Sequence, residues 1–540
     1  MKFLRKLWDL KFYFVLFIFV VLNHIALGYT FTPLEVLASY VLIVLLYRYI
    51  PFLFYAVILI YGLVGGCYLP QAIIYGPVQS GIIASLFETN SVEAKEYLST
   101  IPFWIYAVSV LFVLFSWVVA YYGKKRKAYI RRYHSYRRRP MTRYPVTPGR
   151  AIAVSLAVLF VIIGCIYKPY KLAGSHFYQQ MAFSRVYPLF YFVKIYRDYQ
   201  QYFIQKDALT KDINKQSSWQ ITSVEPKYKT YVVIIGESAR QDYFSVYGKF
   251  DLNTTPFLEQ TPSKIYNGYI AAASNTYMSI FYTMYQHLAD KTVYENNIVS
   301  LAKQAGFNTA WLSSQGYLGE YDTIASRLGV QADSSYFPTH GVFDLSNAKD
   351  KDLLPLLENT LQTASDKPRV VFLHMIGSHP SFCHRLWENV NYDYLNKNMS
   401  CYVQSIKQTD DFIAAVVDIV KKQSPSYSVM YFSDHGLTYP NSQTGSFANL
   451  TIGQNFQENY RVPFVVLSSD DTEHQVINFQ QSATNFIQGF AEWTGIKLAN
   501  YANAPSFFLG TNQPIKVFNQ FSWVNFADLP VQPIIAAPEK

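Results

Sequence analysis

Acidic and imidazole side chains follow three apolar runs in the second half of the chain. The run "YVVII" leads into Glu237, "RVVFL" leads into His374 and then "GSHP", and "YSVMYF" leads through Ser433 into Asp434 and His435. Continuous β-branched runs of this kind are typical of strands buried on both faces of a largely parallel sheet. Ligands of such sheets bind beyond the carboxyl ends of the strands. We therefore expect these side chains to meet at one edge of a sheet.

The types of these side chains indicate a metal site. Carboxylates without partners are costly to bury, so three polar groups at strand ends are difficult to attribute to chance. Two carboxylates with one imidazole suit Zn²⁺, with Mn²⁺ as the alternative. A hydroxyl group at an open zinc position loses its proton more readily and becomes a nucleophile. From the residues alone, four hydroxyl groups remain open for this role: Thr254, Thr255, Ser274 and Thr276.

The elements that would position these residues form an α/β domain. Five strands are predicted, at 231–237, 309–314, 369–375, 427–434 and 462–469. Helical stretches lie between them, for example at 297–305 and 403–421. Strands alternating with helices predict a mostly parallel central sheet.

The first 167 residues have a different character. Five apolar runs there approach the roughly 20 residues that a helix needs to cross a bilayer. They lie at about 12–30, 34–50, 51–69, 103–122 and 151–167. The first run follows a basic N-terminus and shows no small-residue cleavage site, so we expect a retained anchor rather than a signal peptide.

The positive charge of the chain is concentrated between two of these runs. The net charge is +10, and the segment Lys124–Arg150 alone contains eleven Lys or Arg residues and no acidic residue. A short basic loop between apolar runs is typical of the cytoplasmic side of a membrane. This distribution argues against a nucleic-acid partner, and binding of anionic membrane lipids is at most a minor use of the loop.

Five crossings from a cytoplasmic N-terminus place everything after residue 167 outside the cytoplasm. In that compartment Cys383 and Cys401 are expected to form a disulfide. Residues 168–230 mix aromatic and basic residues and form a bridge. Two interpretations of the bridge stay open: a pair of interfacial helices broken at Pro188, or a helical linker packed on the soluble domain.

Several motifs resemble the inner-membrane phosphoethanolamine transferases of Gram-negative envelopes, which belong to the alkaline phosphatase/sulfatase superfamily. They are "GESAR" (236–240), "TTP" (254–256), "AASNTYMS" (272–279), "GSHP" (377–380) and "YFSDHG" (431–436). "EPKYKTYVVIIGESAR", "GEYDT" and "VPFVVLSSDD" resemble the subgroup that acts on osmoregulated periplasmic glucans. The resemblance implies a five-helix transmembrane domain (1–167), bridging helices (168–230) and a periplasmic sulfatase-like α/β domain (231–540), held in the bacterial inner membrane.

The resemblance also assigns roles to residues. It implies that Thr276 is the nucleophile at the start of a helix and that Glu237, Thr276, Asp434 and His435 bind zinc. His379 matches a family histidine that contacts the phosphoryl group or assists the leaving group. Lys349 matches a residue that reaches the substrate phosphate.

Two further features of the resemblance concern the outer loop and the metal count. The loop 87–98 resembles the family's site for the ethanolamine head group, which implicates Thr89 and Glu93; an exposed amphipathic helix is the alternative. The family has another histidine downstream of Asp434 and His435, whereas residues 437–461 contain none. Either Asn449, Gln454 or another polar group replaces it, or the role of a second metal is altered, so one zinc ion is expected.

The implied reaction transfers phosphoethanolamine from phosphatidylethanolamine to an envelope glycan, either a periplasmic glucan or the core or lipid A of lipopolysaccharide. A phosphoethanolamine-threonine intermediate on Thr276 would connect the two half-reactions. The alternatives within the superfamily are a glycerophosphate transferase and a phospho- or sulfo-ester hydrolase. An alternative of another class is a non-catalytic, glycan-binding membrane protein.

Overall fold

The structure is a computed structural model that describes residues 2–536 with several gaps. The gaps are 79–81, 84–85, 88–97, 99–100, 137–146, 173–180, 182–183, 213–214, 289–290, 317–323, 340–348, 440–447, 512 and 520–521. The chain divides into two compact units, Met1–Ile83 with Leu98–Tyr202, and Ala84–Tyr97 with Phe203–Lys540. The domain boundaries expected at 167 and 230 stay predictions, and the division observed here falls between them.

The first unit is helical. Its helices are α1 (Lys2–Ala26), α2 (Pro33–Tyr49), α3 (Pro51–Tyr75), α4 (Phe103–Tyr136), α5 (Pro148–Leu172) and the first part of α6 (Tyr187–Asp212). A helix therefore lies at each of the five places where a membrane span was expected. By length and composition, three of them in the described part of the chain could cross a membrane: Pro51–Ile73, Phe103–Ile130 and Pro148–Tyr170. The apolar segments of the other two helices are shorter. In α1 the apolar part is Lys11–Ala26, and α2 has 17 residues in total.

Two details of this unit differ from expectation. Helix α4 continues to Tyr136, so the first part of the basic segment is helical rather than a loop. Pro188 does not break a helix but lies in the first turn of α6, where its missing N–H leaves no hydrogen bond unmade. The part of the bridge that precedes Pro188 includes residues 173–180 and 182–183, which lie outside the described residues, so the expected first interfacial helix stays a prediction.

The second unit is built on an eight-stranded sheet, flanked by three two-stranded sheets in the described residues. The strands are β1 (Ile221–Val224), β2 (Thr230–Gly236), β3 (Ser263–Ile270), β4 (Tyr285–Leu288), β5 (Lys291–Asn297), β6 (Asn308–Ser313), β7 (Ser334–Tyr336), β8 (Arg369–His374), β9 (Tyr427–Ser433), β10 (Phe464–Ser468), β11 (His474–Ser482), β12 (Ile496–Leu498), β13 (Lys516–Phe518) and β14 (Trp523–Asn525). The order in the large sheet is β11-β3-β10-β9-β2-β8-β6-β7. Only β10 is antiparallel to its neighbours among these strands. The prediction of a mostly parallel central sheet is therefore confirmed.

Helices cover both faces of this sheet. They are α7 (Pro256–Gln260), α8 (Thr276–Met284), α9 (Ile298–Gln304), α10 (Ile324–Gly329), α11 (Leu353–Gln362), α12 (Phe382–Arg385), α13 (Lys397–Gln423) and α14 (Phe486–Thr494). Alternate residues of β2 enter two separate cores, with Val233 packed on the side of α8, α9 and α14, and Val232 on the side of α11 and α13. Strand β2 is thus buried on both faces, which is why its sequence is continuously apolar.

A disulfide ties α12 to α13. Cys383 and Cys401 are bonded, with an S–S distance of 2.01 Å, whereas Cys67 and Cys165 are free thiols. The bond anchors the segment that follows β8, and this segment carries the "GSHP" motif.

Candidate active site

Two neighbouring strands deliver the acidic and imidazole groups to one place. Gly236 at the end of β2 pairs with Ser433 at the end of β9, so the residues that follow them, Glu237 and Asp434, leave the sheet side by side. His435 comes next, and all three side chains are buried. One ligand atom from each lies within 4.8 Å of the others. The structure therefore brings together three of the four residues that the sequence placed at the sheet edge, and His374 does not join them.

The hydrogen bonds of these residues leave an arrangement that suits a cation. Oδ1 of Asp434 accepts the N–H groups of Ser238 (3.1 Å) and His435 (2.7 Å), whereas Oδ2 is buried with no hydrogen-bond partner in the described residues. Nδ1 of His435 lies 2.8 Å from the carbonyl oxygen of Gly436, to which it donates, so Nε2 is left as a ligand atom. An orphaned carboxylate oxygen beside an oriented imidazole fits a metal ion.

Electrostatics favour the same conclusion. Burial and the charge of Glu237 raise the pKa of the Asp434 carboxyl above its ordinary value. Burial opposes the charged form of His435, but Asp434 and Glu237 outweigh it and raise the pKa of the imidazole to about 9. Burial also opposes ionisation of Glu237, yet the hydrogen bond and charge of His435 lower its pKa to about 2. Two carboxylates share one buried space and repel each other. They are therefore stabilised by nearby positive charge, which a divalent ion would supply.

Thr276 stands directly over this cluster. It is the first residue of α8, and its Oγ1 lies 3.2 and 3.1 Å from the two carboxylate oxygens of Glu237 and 3.3 Å from Nε2 of His435. Asn275 caps the helix by accepting the N–H of Met278 at 2.9 Å. Ser279 fixes the next turn, since its hydroxyl donates to the backbone oxygen of Asp434 at 2.6 Å. Of the four hydroxyl groups open from sequence, the structure brings Thr276 to the cluster.

The second unit of the chain, and most of the chain's length, match known proteins. A family model described as Sulfatase matches residues 229–496. The phosphoethanolamine transferase OpgE of Escherichia coli (strain K12) is 33% identical over 478 residues, covering 88% of this chain and 86% of the relative. The chain belongs to the phosphoethanolamine transferase family. A putative phosphoethanolamine transferase of Haemophilus influenzae is 30% identical, covering 72% of this chain and 74% of the relative.

Solved structures of this family share the transferase fold. The integral membrane protein lipooligosaccharide phosphoethanolamine transferase A of Neisseria meningitidis has a TM-score of 0.55 at 15% identity, covering 89% of this chain and 95% of the neighbour. The periplasmic domain of EptC from Escherichia coli, in complex with zinc, has a TM-score of 0.50 at 19% identity. That match covers 58% of this chain and 97% of the neighbour. A sulfatase-like domain joined to an apolar helical region is thus the architecture of this transferase.

The loop after β8 carries His379 towards the site of the transferase. The N–H of Ser378 donates to the backbone oxygen of Glu237 at 3.0 Å, and the positive charge of His379 contributes to the low pKa of the Glu237 carboxyl. Nδ1 of His379 contacts the carbonyl oxygen of Pro380. Lys349 contacts the carbonyl oxygen of His384, which follows the same loop. His379 therefore lies near the cluster, and Lys349 contacts the backbone of the helix that follows the loop.

The sequence did not predict the role of two residues that hold this loop in place. Asp350 begins the short 3-10 helix Asp350–Asp352 that leads into α11, and its buried carboxylate also accepts the N–H groups of Ile376 (2.8 Å) and Gly377 (3.0 Å). Arg385 is buried and donates to the carbonyl oxygens of His379 and Pro380 at 3.4 and 3.0 Å. Both act on backbone groups, and no local pattern in the sequence distinguishes such side chains from surface ones.

The remaining candidates have other hydrogen-bond partners or fall outside the described residues. His374 at the end of β8 is buried against Trp311, and its Nδ1 lies 3.0 Å from the hydroxyl of Ser313, as expected for a core histidine. Asn449 accepts from Asn398 at 2.5 Å, and Gln454 is buried beside Tyr460. Among the described His, Cys, Asp and Glu side chains, the candidate metal site consists of Glu237, Asp434 and His435. Thr89 and Glu93 fall outside the described residues.

Proposed function

We propose that this transferase moves phosphoethanolamine from phosphatidylethanolamine to a hydroxyl or phosphate group of an envelope glycan, through a covalent phosphoethanolamine-threonine intermediate on Thr276. The observation that carries the proposal is the position of the Thr276 hydroxyl within 3.3 Å of both Glu237 and His435. A hydroxyl group between a carboxylate and an imidazole, at the amino end of a helix, suits attack on an anionic phosphoryl group.

Glu237, Thr276, Asp434 and His435 would hold one zinc ion, with Mn²⁺ as the alternative. When bound, the ion supplies positive charge that lowers the pKa of the Thr276 hydroxyl and neutralises phosphoryl oxygens. The zinc complex of the EptC domain supports this assignment. A single site accords with the absence of histidine from residues 437–461.

The chain's own groups carry out two displacements. Oγ1 of Thr276, whose proton passes to the Glu237 carboxylate, attacks the phosphorus of the donor, and the bond from phosphorus to the diacylglycerol oxygen breaks. His379, in the loop beside Glu237, is the proposed donor of the proton that this oxygen takes up. An acceptor hydroxyl then attacks the same phosphorus and gives its proton to His379. The bond to Oγ1 breaks, and Oγ1 takes its proton back from Glu237 to restore the threonine. Lys349 is proposed to reach the substrate phosphate, and Thr89 with Glu93 to bind the ethanolamine group.

The donor is a membrane lipid, and we propose that the enzyme spans the bacterial inner membrane five times. The N-terminus would be cytoplasmic and residues 231–540 periplasmic. The structural similarity to an integral membrane transferase over 89% of this chain supports the location in the membrane. The periplasmic location of residues 231–540 is supported by the disulfide between Cys383 and Cys401 and by the similarity to the periplasmic EptC domain.

The mechanism is tested by mass spectrometry of the purified enzyme after incubation with phosphatidylethanolamine. We expect an added phosphoethanolamine on Thr276 in the wild type and in Thr276→Ser, which keeps the hydroxyl. Thr276→Ala should lose the adduct and at least about 1,000-fold of the transfer rate while keeping its fold, because it lacks the nucleophile. Normal transfer by a folded, zinc-loaded Thr276→Ala protein would refute the mechanism.

The same preparations separate the alternative functions. Release of free phosphoethanolamine without an acceptor would indicate a hydrolase, and a preference for phosphatidylglycerol would indicate a glycerophosphate transferase. A zinc content near zero would favour a non-catalytic glycan-binding protein. The acceptor is identified by comparing envelope glucans and lipopolysaccharide from wild-type and deletion strains, since the true acceptor pool loses phosphoethanolamine.

A further inference from the structure

A large cleft opens along the carboxyl half of α8. Its volume is about 950 Å³, near the upper end of the range of about 300–1,000 Å³ found for small-molecule sites. The walls come from α8, the β4–β5 hairpin, the β13–β14 ribbon and the segment 482–485. All of these belong to the second unit of the chain. The cleft is distinct from the metal cluster, because none of the three cluster residues lines it.

An aromatic surface forms one side of the cleft. The ring of Tyr282 on α8 lies 4.7 Å from Trp523 and 5.4 Å from Phe518, measured between ring centroids. Phe518 and Trp523 are directly opposite each other in the β13–β14 ribbon. Trp523 is nevertheless 41% exposed, so a large part of its ring faces the solvent. An exposed indole held in place by two packed rings is a rigid platform for a ligand.

The rest of the lining is polar. Thr292 and Asn485 stand on different walls, and Lys291 and Lys516 are exposed on the hairpin and on the ribbon. A lipid acyl chain requires a continuous apolar surface, which this mixture does not provide. Sugar rings present C–H faces that pack on aromatic rings, and hydroxyl groups that bond to hydroxyl, amide and ammonium side chains. The lining therefore matches a carbohydrate better than a lipid chain.

The cleft is connected to Thr276 by both of its aromatic walls. Tyr282 follows Thr276 by six residues on α8, which corresponds to about 9 Å along the helix axis. From the other wall, the N–H of Phe518 donates to the carbonyl oxygen of Ala272 at 2.8 Å, and Phe518 pairs with Ala273. The segment that leads into Thr276 is thus bonded to the ribbon that carries Trp523. A ligand on Trp523 would lie within a few sugar lengths of the nucleophile.

We propose that this cleft binds sugar rings of the acceptor glycan, with a ring packed against Trp523 and Tyr282. The role as an acceptor site rests on the proposed function. The binding of an oligosaccharide to the cleft does not depend on the proposed function, and it is therefore tested first. The site would select the acceptor and position it for attack on the phosphothreonine, while the metal cluster serves both half-reactions.

The test measures oligosaccharide binding to the full-length Thr276→Ala protein in detergent by isothermal titration calorimetry. The probes are short gluco-oligosaccharides and, separately, lipid-free core oligosaccharide of lipopolysaccharide, so that the two sources of sugar are distinguished. We expect one of them to bind, and Trp523→Ala to weaken it about tenfold, since a lost aromatic contact is worth about 1.4 kcal/mol. Trp523→Phe should retain most of the affinity. The matched control is Tyr336→Ala, which removes another exposed aromatic ring from the edge strand β7.

Each outcome decides the proposal. Equal affinity of Trp523→Ala and Tyr336→Ala, binding of neither sugar, or displacement of the sugar by phosphatidylethanolamine vesicles would overturn it. If sugar binding depends on Trp523 but the wild-type enzyme forms no phosphoethanolamine adduct on Thr276, the cleft is retained and the proposed function is rejected. In the active enzyme, Trp523→Ala should raise the acceptor KM about tenfold relative to Tyr336→Ala.

Discussion

Individual side chains at the metal cluster are held by their neighbours in positions that would be costly without an ion. Ser238 adopts a left-handed φ of 58°, a conformation that few residues other than glycine adopt. In that conformation its N–H donates to Asp434 and its hydroxyl donates to Glu237 at 2.7 Å. The local strain thus orients both carboxylates towards His435. A buried pair of carboxylates fixed in this way gains stability from a bound cation.

His374, close to the cluster but outside it, gives a prediction about pH. Burial lowers its pKa from 6.5 to about 4, so the folded state keeps the imidazole neutral while the unfolded state takes up a proton below 6.5. The stability due to the neutral ring is complete above pH 6.5 and is lost as the pH falls towards 4. We expect the wild type to lose about 2 kcal/mol relative to His374→Gln between about pH 7 and about pH 4.5.

The measurement is thermal or denaturant unfolding of both proteins across this pH range. A chelator is present throughout, so that release of metal at low pH does not contribute to the difference. Ser313→Ala, which removes the hydroxyl beside the ring and keeps the histidine, serves as the control and should follow the wild type. A difference between wild type and His374→Gln that does not vary with pH would show that the imidazole is not neutral by burial.

At this scale, the sequence predicts residues that follow directly from a strand end. Glu237, Asp434 and His435 each come within two residues of a buried strand, so the direction of the sheet places them. Asp350 and Arg385 could not be predicted, because they bond to backbone groups of a loop whose path depends on the tertiary fold. The choice of Thr276 among the hydroxyl groups required the family resemblance, since nothing local distinguishes a nucleophile from a helix cap.

Among the elements, α8 has the largest effect on chemistry, because its first residue is the proposed nucleophile. Its N-cap Asn275 accepts the N–H of Met278, and α9 has a comparable cap in Asn297, which accepts from Val299 and Ser300. Replacing either by alanine should lower the free energy of unfolding by about 1 kcal/mol or more. Only Asn275→Ala should also lower kcat, by about tenfold, because a frayed first turn displaces the Thr276 hydroxyl.

This prediction compares kcat with stability in the two variants, at a temperature at which both remain folded. The Asn297→Ala protein keeps wild-type kcat if α9 has only a structural role. Equal losses of kcat in the two variants would mean that stability alone governs the rate. Unchanged kcat in Asn275→Ala would mean that Thr276 is positioned without its helix cap.

The strands divide into those that sequence predicts and those that it does not. The five continuous apolar runs became β2, β6, β8, β9 and β10, which occupy interior positions of the sheet. Three outer or less apolar strands were not predicted: β3, β7 and β11. Their sequences, "SKIYNGYI", "SSY" and "HQVINFQQS", mix polar and apolar residues because they are less completely buried. The sequence also does not indicate that β10 is antiparallel to its neighbours, because a continuous apolar run has the same pattern in either strand direction.

At the scale of the whole molecule, the distribution of charge and cysteine supports the proposed topology. The basic segment Lys124–Arg150 indicates a cytoplasmic side, and the disulfide between Cys383 and Cys401 indicates an oxidising one. The proposed topology places these two segments on opposite sides of the membrane, which requires a further crossing after the basic segment. Helix α5 is apolar and long enough to provide it.

This topology predicts the labelling of single cysteines by a membrane-impermeant maleimide in intact spheroplasts. Cys67 and Cys165 are replaced by serine, and the disulfide is kept, so that no other thiol reacts. Lys422→Cys, at the exposed end of α13, should be labelled at once. Gly149→Cys, exposed at the start of α5 with nothing near its side-chain position, should be labelled only after lysis.

The two positions test different steps of the inference. Labelling of Gly149→Cys in intact spheroplasts would place the basic segment outside and reverse the orientation of α5. Protection of Lys422→Cys would place the catalytic unit in the cytoplasm, where Cys383 and Cys401 should be reduced and would then react after lysis without added reductant. Labelling of Lys422→Cys together with protection of Gly149→Cys places the metal cluster on the side of the membrane where envelope glycans are found, as transfer to such an acceptor requires.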